Sequence, residues 1–127
     1  MTTRHRPATI RQRASLFEDA VAIVENEYAT DVNLDEIAQR LASSRRQLQR
    51  AYAEIGQTTF RSHLANVRMD RAAELLAHGE LAVADVARQV GYRQSAQFAK
   101  AFRRRHGLAP AAYGKFSRRG ARVATVT

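Results

Sequence analysis

Apolar residues recur at helical spacing along most of the chain, and one apolar pattern returns about 49 residues after its first appearance. Side chains spaced by three and four positions predict short helices over residues 34–41 and 83–90, LDEIAQRL and VADVARQV. After a short break, each is followed by a second helical pattern with apolar residues at paired positions, Leu48 and Tyr52 against Phe98 and Phe102. The chain is therefore expected to contain the same pair of helices twice.

A short helix, a tight turn and a longer helix make up the helix-turn-helix pattern, and capping residues indicate where its helices begin. Asn33 begins a capping box before the first short helix, and Ser43 or Ser44 can cap the helix after the break. Ser15 and Glu18 form another capping box, which predicts that the first helix of the chain starts at Ser15.

A longer apolar pattern between the two copies predicts a helix from about Thr59 to Ala77. It would span about 28 Å at a rise of 1.5 Å per residue, enough to join two small modules and fix their spacing. No segment carries a strand pattern. The predicted fold class is all-α, with two helix-turn-helix subdomains, a long linker helix and about seven helices in total.

These patterns divide the chain into five expected segments. Residues 1–14 form a flexible basic arm, 15–57 the first helix-turn-helix subdomain, 58–78 the linker helix, 79–114 the second subdomain and 115–127 a frayed basic tail. The two basic ends could follow a DNA backbone or a minor groove, or they could serve only as solubilising ends.

The net charge is +9, and it is concentrated in one half of the chain. Residues 1–64 hold nine basic and eight acidic side chains, whereas residues 65–127 hold twelve and four. A basic, arginine-rich chain favours a polyanionic partner, because the guanidinium group bonds bidentately to phosphate and to guanine. An arginine-using genome could produce the same balance without such a partner.

Several classes of protein fit poorly. The chain has no cysteine, and its histidines are scattered without a carboxylate at metal spacing, so neither a metal nor another cofactor is expected. The serines at 15, 43 and 44 are better explained as caps than as nucleophiles, and there is no glycine-rich phosphate loop. No apolar run is long enough to span a membrane, and no secretory signal is present. We expect a cytoplasmic, nucleoid-associated protein that is not an enzyme.

The long helix and the second copy together resemble the DNA-binding domain of the AraC/XylS family of bacterial transcription regulators. The resemblance rests on Phe60-x-x-His63-Leu64-x-x-Val67-Arg68-Met69-x-Arg71-Ala72-x-x-Leu75-Leu76, on Val83-x-Asp85-Val86-Ala87-x-x-Val90-Gly91-Tyr92 and on Phe98-x-x-x-Phe102-x-x-x-x-Gly107-x-x-Pro110-x-x-Tyr113. It covers residues 16–114 and implies two DNA-reading units. Because no effector domain fits in this length, the chain resembles the stand-alone members, which bind DNA as monomers.

Three positions depart from the family pattern. Ala82 stands where a serine or threonine usually caps the first helix of the second unit, so that end is expected to be looser. His63 replaces a usual aromatic residue. Gly114 follows Tyr113 where arginine is common, which would remove one phosphate contact.

The resemblance and the position of the second helix of each unit indicate which residues meet DNA. A recognition helix presents its amino-terminal residues to base edges in the major groove. The expected base-contacting residues are Arg46, Gln49 and Arg50 in the first unit and Ser95, Ala96, Ala99 and Lys100 in the second. The expected phosphate-contacting residues are Ser44, Arg45, Arg93, Gln94, Arg103 and Arg104.

The two sets differ in chemistry, which suggests a division of labour. Arginine and glutamine bond to guanine and adenine, whereas alanine can offer only a methyl contact to thymine. The first unit is expected to read sequence, and the second to supply mostly salt-dependent backbone binding. The two helices would enter successive major grooves, about 34 Å apart, of an asymmetric double-stranded site of about 20 base pairs.

The predicted function is that of a sequence-specific transcription regulator, an activator that binds DNA as a monomer and also touches RNA polymerase. Two alternatives stay open. The chain could be a protein-interaction module that binds polymerase or another regulator and binds DNA only weakly. It could also be a detached DNA-binding half whose sensor lies on another chain.

Overall fold

The computed structural model describes the backbone of residues 7–126 and the side chains of residues 9–120. This part of the chain contains seven α-helices and no strand, which confirms the all-α prediction. A π-helical turn, Tyr52–Gly56, continues the third helix. The helices are α1 (Pro7–Glu27), α2 (Leu34–Arg40), α3 (Arg45–Ala51), α4 (Phe60–His78), α5 (Val83–Gln89), α6 (Ser95–His106) and α7 (Pro110–Val126).

At both ends of the described chain, helix extends further than the sequence pattern predicts. Helix α1 begins at Pro7, so the expected start at Ser15 is wrong, and Ser15 lies inside the helix. Proline suits the first position of a helix because its fixed φ is already helical. Helix α7 continues from Pro110 to Val126, where a short turn and a frayed tail were expected. The rest of the predicted basic arm, residues 1–6, lies outside the described residues, and the division into five segments stays a prediction.

The two copies of the repeat share one turn geometry. The Ser43 N–H donates to the Ala38 carbonyl at 2.8 Å, and the Tyr92 N–H donates to the Ala87 carbonyl at 2.9 Å. Each turn also contains a residue with left-handed backbone, Ala42 (φ 55°) in the first copy and a glycine in the second. This pattern closes a helix by satisfying its last free carbonyl groups.

The predicted caps of α2 and α3 are confirmed. The side chains of Asn33 and Ser44 accept hydrogen bonds from Glu36 N–H at 2.8 Å and Gln47 N–H at 3.1 Å. Ala82 precedes α5 and makes no side-chain cap, and the looser helix start expected there stays a prediction.

The described chain divides into two compact units, and helix α4 begins in the first and continues in the second. The first unit ends at Leu64, and its helices pack around the buried ring of Tyr52. Phe17 of α1 and Phe60 of α4 meet this ring edge to face, at centroid distances of 5.1 and 5.9 Å. Such aromatic pairs contribute about 0.5–1.5 kcal/mol beyond burial. They hold α1 and the start of α4 against the helix that continues α3.

The second unit begins at Ala65 and has its own aromatic core. Phe98 and Phe102 of α6 are fully buried, and Tyr113 of α7 meets Phe102 edge to face at 5.2 Å. Arg68 of α4 lies over the Tyr92 ring at 5.7 Å and close to Gly91. A side chain at Gly91 would crowd the Arg68 guanidinium, and the backbone there has φ +98°, so glycine is favoured on both counts.

The carboxyl end of α4 is closed by a residue from the end of the chain. Arg118 of α7 donates from Nη1 to the Leu76 carbonyl oxygen at 2.8 Å. A cation at this end also interacts favourably with the helix dipole. The approach depends on Gly114, where a Cβ would lie 3.1 Å from both the Leu76 oxygen and Arg118 Nη1. Gly114 therefore leaves room for a structural contact, which explains the departure from the arginine common in the family.

We predict that Gly114→Arg lowers the free energy of unfolding by about 1–3 kcal/mol, because its side chain must displace Arg118 or the end of α4. Gly120→Arg is the matched control, since Gly120 is in the same helix and nothing lies within 4 Å of its Cβ position. Thermal unfolding of both variants provides the measurement. Equal stability of the two would contradict the proposed packing.

A half-buried histidine contacts the core of the first unit. The hydroxyl of Tyr52 lies 2.7 Å from Nδ1 of His63, and with a neutral imidazole the hydroxyl donates. Burial lowers the pKa of His63, while the Glu25 carboxylate acts in the opposite direction. Burial also raises the pKa of Tyr52 well above its ordinary value, so the hydroxyl keeps its proton. The packing around Tyr52 thus favours neutral His63.

The lowered pKa of His63 predicts acid sensitivity. The unfolded chain binds the proton more readily than the folded chain, so the free energy of unfolding should fall as the pH drops through the ordinary histidine pKa. Chemical unfolding between about pH 8 and pH 5 measures this slope. His63→Phe, which restores the aromatic residue common in the family, should reduce the slope. An unchanged slope in this variant would exclude His63 as its source.

Candidate nucleic-acid interface

Helix α3 presents the predicted reading residues of the first unit on its free side. Leu48 and Ala51 are buried against the unit, whereas Arg46, Gln49 and Arg50 are exposed. These three positions are spaced i, i+3 and i+4, so their side chains share one face. The first unit therefore brings two guanidinium groups and one amide together, a set able to bond to guanine and adenine edges.

The predicted phosphate contacts at the start of α3 are also exposed, and both have a structural partner. Ser44 accepts the capping bond from Gln47, which leaves its hydroxyl proton as a possible donor to a phosphate oxygen. Arg45 forms an ion pair with Asp35 of α2 at 3.1 Å. Both members of that pair are more than half exposed, so the pair contributes little to stability, and a phosphate could compete for the arginine.

Helix α6 presents a different surface. Ser95, Ala96 and Lys100 are exposed, Ala99 is half-buried, and the opposite side of the helix carries the buried residues of the core. The predicted phosphate contacts Arg93 and Gln94 precede the helix and are exposed. Helix α6 therefore offers one amine and one hydroxyl where α3 offers two guanidinium groups and an amide.

One hollow of about 460 Å³ in the first unit and another of about 410 Å³ in the second lie beside these helices. The hollow in the second unit is lined by Ala99, Lys100, Arg103, Arg104 and Ala109. The small side chains of the two alanines leave space between three cations. The structure thus brings residues assigned separately to base and phosphate contact around a single space.

The amino-terminal part of α1 lies beside α3, although no residue of α1 is among the predicted contacts. Thr9, Gln12 and Arg13 lie across a groove from Gln47 and Arg50 of α3. These α1 residues precede the expected helix start. Pro7 was the signal that could have found them, because proline favours the first turn of a helix.

Two further features, a metal site and a membrane-spanning helix, are absent from the described part of the chain. Its histidine, aspartate and glutamate residues form no group of three that could hold a metal ion. None of its helices is both long and apolar enough to cross a membrane.

Two helix-turn-helix units with exposed, polar second helices define a DNA-binding protein of the double helix-turn-helix class. The helix-turn-helix domain family matches residues 37–115 of the chain. The chain belongs to the AraC-type branch of these DNA-binding transcription regulators, which confirms the resemblance seen in the sequence.

Solved structures and curated relatives agree with this assignment. The C-terminal domain of AraT, a response regulator from Geobacillus stearothermophilus, is 28% identical with a TM-score of 0.73 and covers 90% of this chain and 88% of its own. The DNA-binding domain of AdpA, solved in complex with a target DNA, is 27% identical with a TM-score of 0.73, covering 81% and 92%. The transcriptional activator RhaS of Escherichia coli is 31% identical over 101 residues, 80% of this chain and 36% of its own length. The chain thus spans only about a third of that relative.

Proposed function

We propose that this regulator binds one asymmetric DNA site with both units, α3 and α6 entering successive major grooves. The proposal rests on one observation, that each unit presents the exposed side of its second helix while the other side is buried in its core. Successive grooves on one face of B-DNA are about 34 Å apart, which corresponds to a site of about 20 base pairs in total. Because one chain carries two unlike recognition helices, its DNA site need not be palindromic.

The two helices are proposed to contribute differently. The face of Arg46, Gln49 and Arg50 carries the groups that discriminate between bases. The hollow beside α6 is lined by three cations, which we assign mainly to phosphate, and by two alanines, which can offer a base only a methyl contact. Specificity would then come chiefly from the first unit, and salt-dependent affinity from the second.

In vitro selection of bound DNA, followed by binding of two variants to the selected duplex, tests this division. Arg46→Ala should relax the base preference at one position and cost about 1–3 kcal/mol against the selected sequence. Arg104→Ala should weaken binding to all sequences equally and reduce the salt slope of log K by about 0.9.

Base-pair mismatches opposite each helix provide the check on these variants. Mismatches opposite α6 that cost as much as those opposite α3 would contradict the division of labour. A ratio of specific to non-specific binding near one would contradict the function itself, since specific DNA-binding proteins show about 10³–10⁷.

We also propose that the chain is an activator that binds as a monomer and contacts RNA polymerase. The similar protein RhaS is described as a transcriptional activator, which supports the sign of regulation. On α1, Glu18, Asp19 and Glu25 are exposed and form one candidate surface for polymerase. An acidic surface is repelled by DNA and so is suited to a protein partner.

Transcription in vitro from a promoter that carries the selected site tests the activator proposal. The wild-type chain should raise transcription with one chain bound per duplex. The double variant Glu18→Gln, Glu25→Gln should bind DNA at least as tightly and activate less. Unchanged activation would exclude this face as the polymerase contact, and reduced transcription with the wild type would show a repressor.

A further inference from the structure

A polar groove of about 450 Å³ separates the amino-terminal part of α1 from the recognition helix α3. Thr9 and Gln12 line it from α1, Ser43 from the turn, and Gln47 and Arg50 from α3. Leu16, Leu41 and Ala42 also line the groove. Because the Ser43 hydroxyl donates to Gln47 Oε1 at 2.8 Å, the donors for a ligand are the Thr9 hydroxyl, the side-chain amides of Gln12 and Gln47, and the Arg50 guanidinium. The groove therefore presents donors suited to an anion at the edge of the DNA-reading face.

The α1 side of the groove is held in place by contacts to distant residues. Arg13 forms an ion pair with Glu54, in the π-helical turn that continues α3. One turn further along, Phe17 packs against Tyr52 and fills the space beside Gly56, where an added Cβ would lie 2.5 Å from the ring. Because these contacts fix α1 against α3, the groove is part of the packed unit.

Arg50 belongs both to this groove and to the predicted reading face. A recognition helix in the major groove has a phosphate backbone on each side of it. A duplex that meets Arg46, Gln49 and Arg50 would therefore bring one of its strands along the α1 side of α3. We propose that the groove receives a backbone phosphate of the bound duplex, with Gln12 and Thr9 as contacts outside the helix-turn-helix itself. This inference rests on the proposed function.

One acidic group defines which end of the groove the phosphate would occupy. Asp19 lines the groove too, seven residues beyond Gln12 and so about 10 Å further along the α1 axis. That separation is about one Debye length at physiological salt, which screens most of the repulsion. The amino-terminal end of α1 also carries the positive end of its helix dipole. Both effects place the phosphate beside Thr9 and Gln12.

The test changes the charge at Gln12 in both directions and compares it with the same changes at Asn26. Both residues are exposed amides on α1, and Asn26 lies 14 residues away, outside the groove. Binding is measured by salt titration with the duplex that in vitro selection recovers for the wild-type chain, and thermal unfolding verifies the fold of each variant. Gln12→Lys should strengthen binding several-fold and steepen the salt slope of log K by about 0.9, the value for one added phosphate contact.

Gln12→Glu should weaken binding several-fold, whereas Asn26→Lys and Asn26→Asp should produce much smaller changes. Replacing single phosphates of the duplex by neutral methylphosphonates then locates the contact. One such replacement should abolish the gain of Gln12→Lys while the gain persists at the others.

Equal effects at Gln12 and Asn26, or a gain that no single methylphosphonate removes, would overturn the inference and leave the proposed function intact. A wild-type chain without sequence preference would overturn both. The two failures are thus distinguished by the wild-type measurement alone.

Discussion

The direction of the second helix in each helix-turn-helix unit depends on one backbone hydrogen bond in the turn before it. The N–H groups of Ser43 and Tyr92 reach back to carbonyls of the preceding short helices, Ala38 and Ala87, at nearly equal distances. This bond requires a left-handed residue in the turn, which is a glycine in the second copy and Ala42 in the first. A non-glycine residue in this conformation costs about 1–2 kcal/mol, which the surrounding packing must offset. Similar turn geometry therefore sets the orientation of α3 and of α6 relative to the short helix before each.

In each unit, one side of the second helix packs in the core, and the opposite side carries the residues predicted to meet DNA. Tyr52 in the first unit and Phe102 in the second sit fully buried in aromatic clusters that fix one side of the helix. The other side faces away from the core, so its residues can change without loss of packing. That freedom explains how closely similar frameworks carry two guanidinium groups on α3 and an alanine-lined basic hollow beside α6.

The ends of the described chain contribute to the units they adjoin. Arg118 closes the last turn of α4, and Arg13 joins α1 to the helix that continues α3. Both residues lie outside the region that matches the helix-turn-helix family, residues 37–115. An ion pair or hydrogen bond at a partly exposed site adds little energy by itself. Its effect here is to orient a helix, and at α1 this orientation forms the groove beside Arg50.

Local patterns were enough to predict the all-α class, the repeated helix pair, the caps at Asn33 and Ser44 and the exposed face of α3. Helical periodicity, capping and turn residues act over a few positions, so they can be read from the chain directly. The positions of α1 and α7 against their units, and the groove and hollow beside α3 and α6, depend on tertiary contacts. Arg13 and Glu54 are 41 residues apart, and Arg118 and Leu76 are 42 apart. The polar parts of α1 and α7 are fixed in place only when folding brings these distant partners together. A pattern that acts over a few positions does not encode a contact between residues about 40 positions apart.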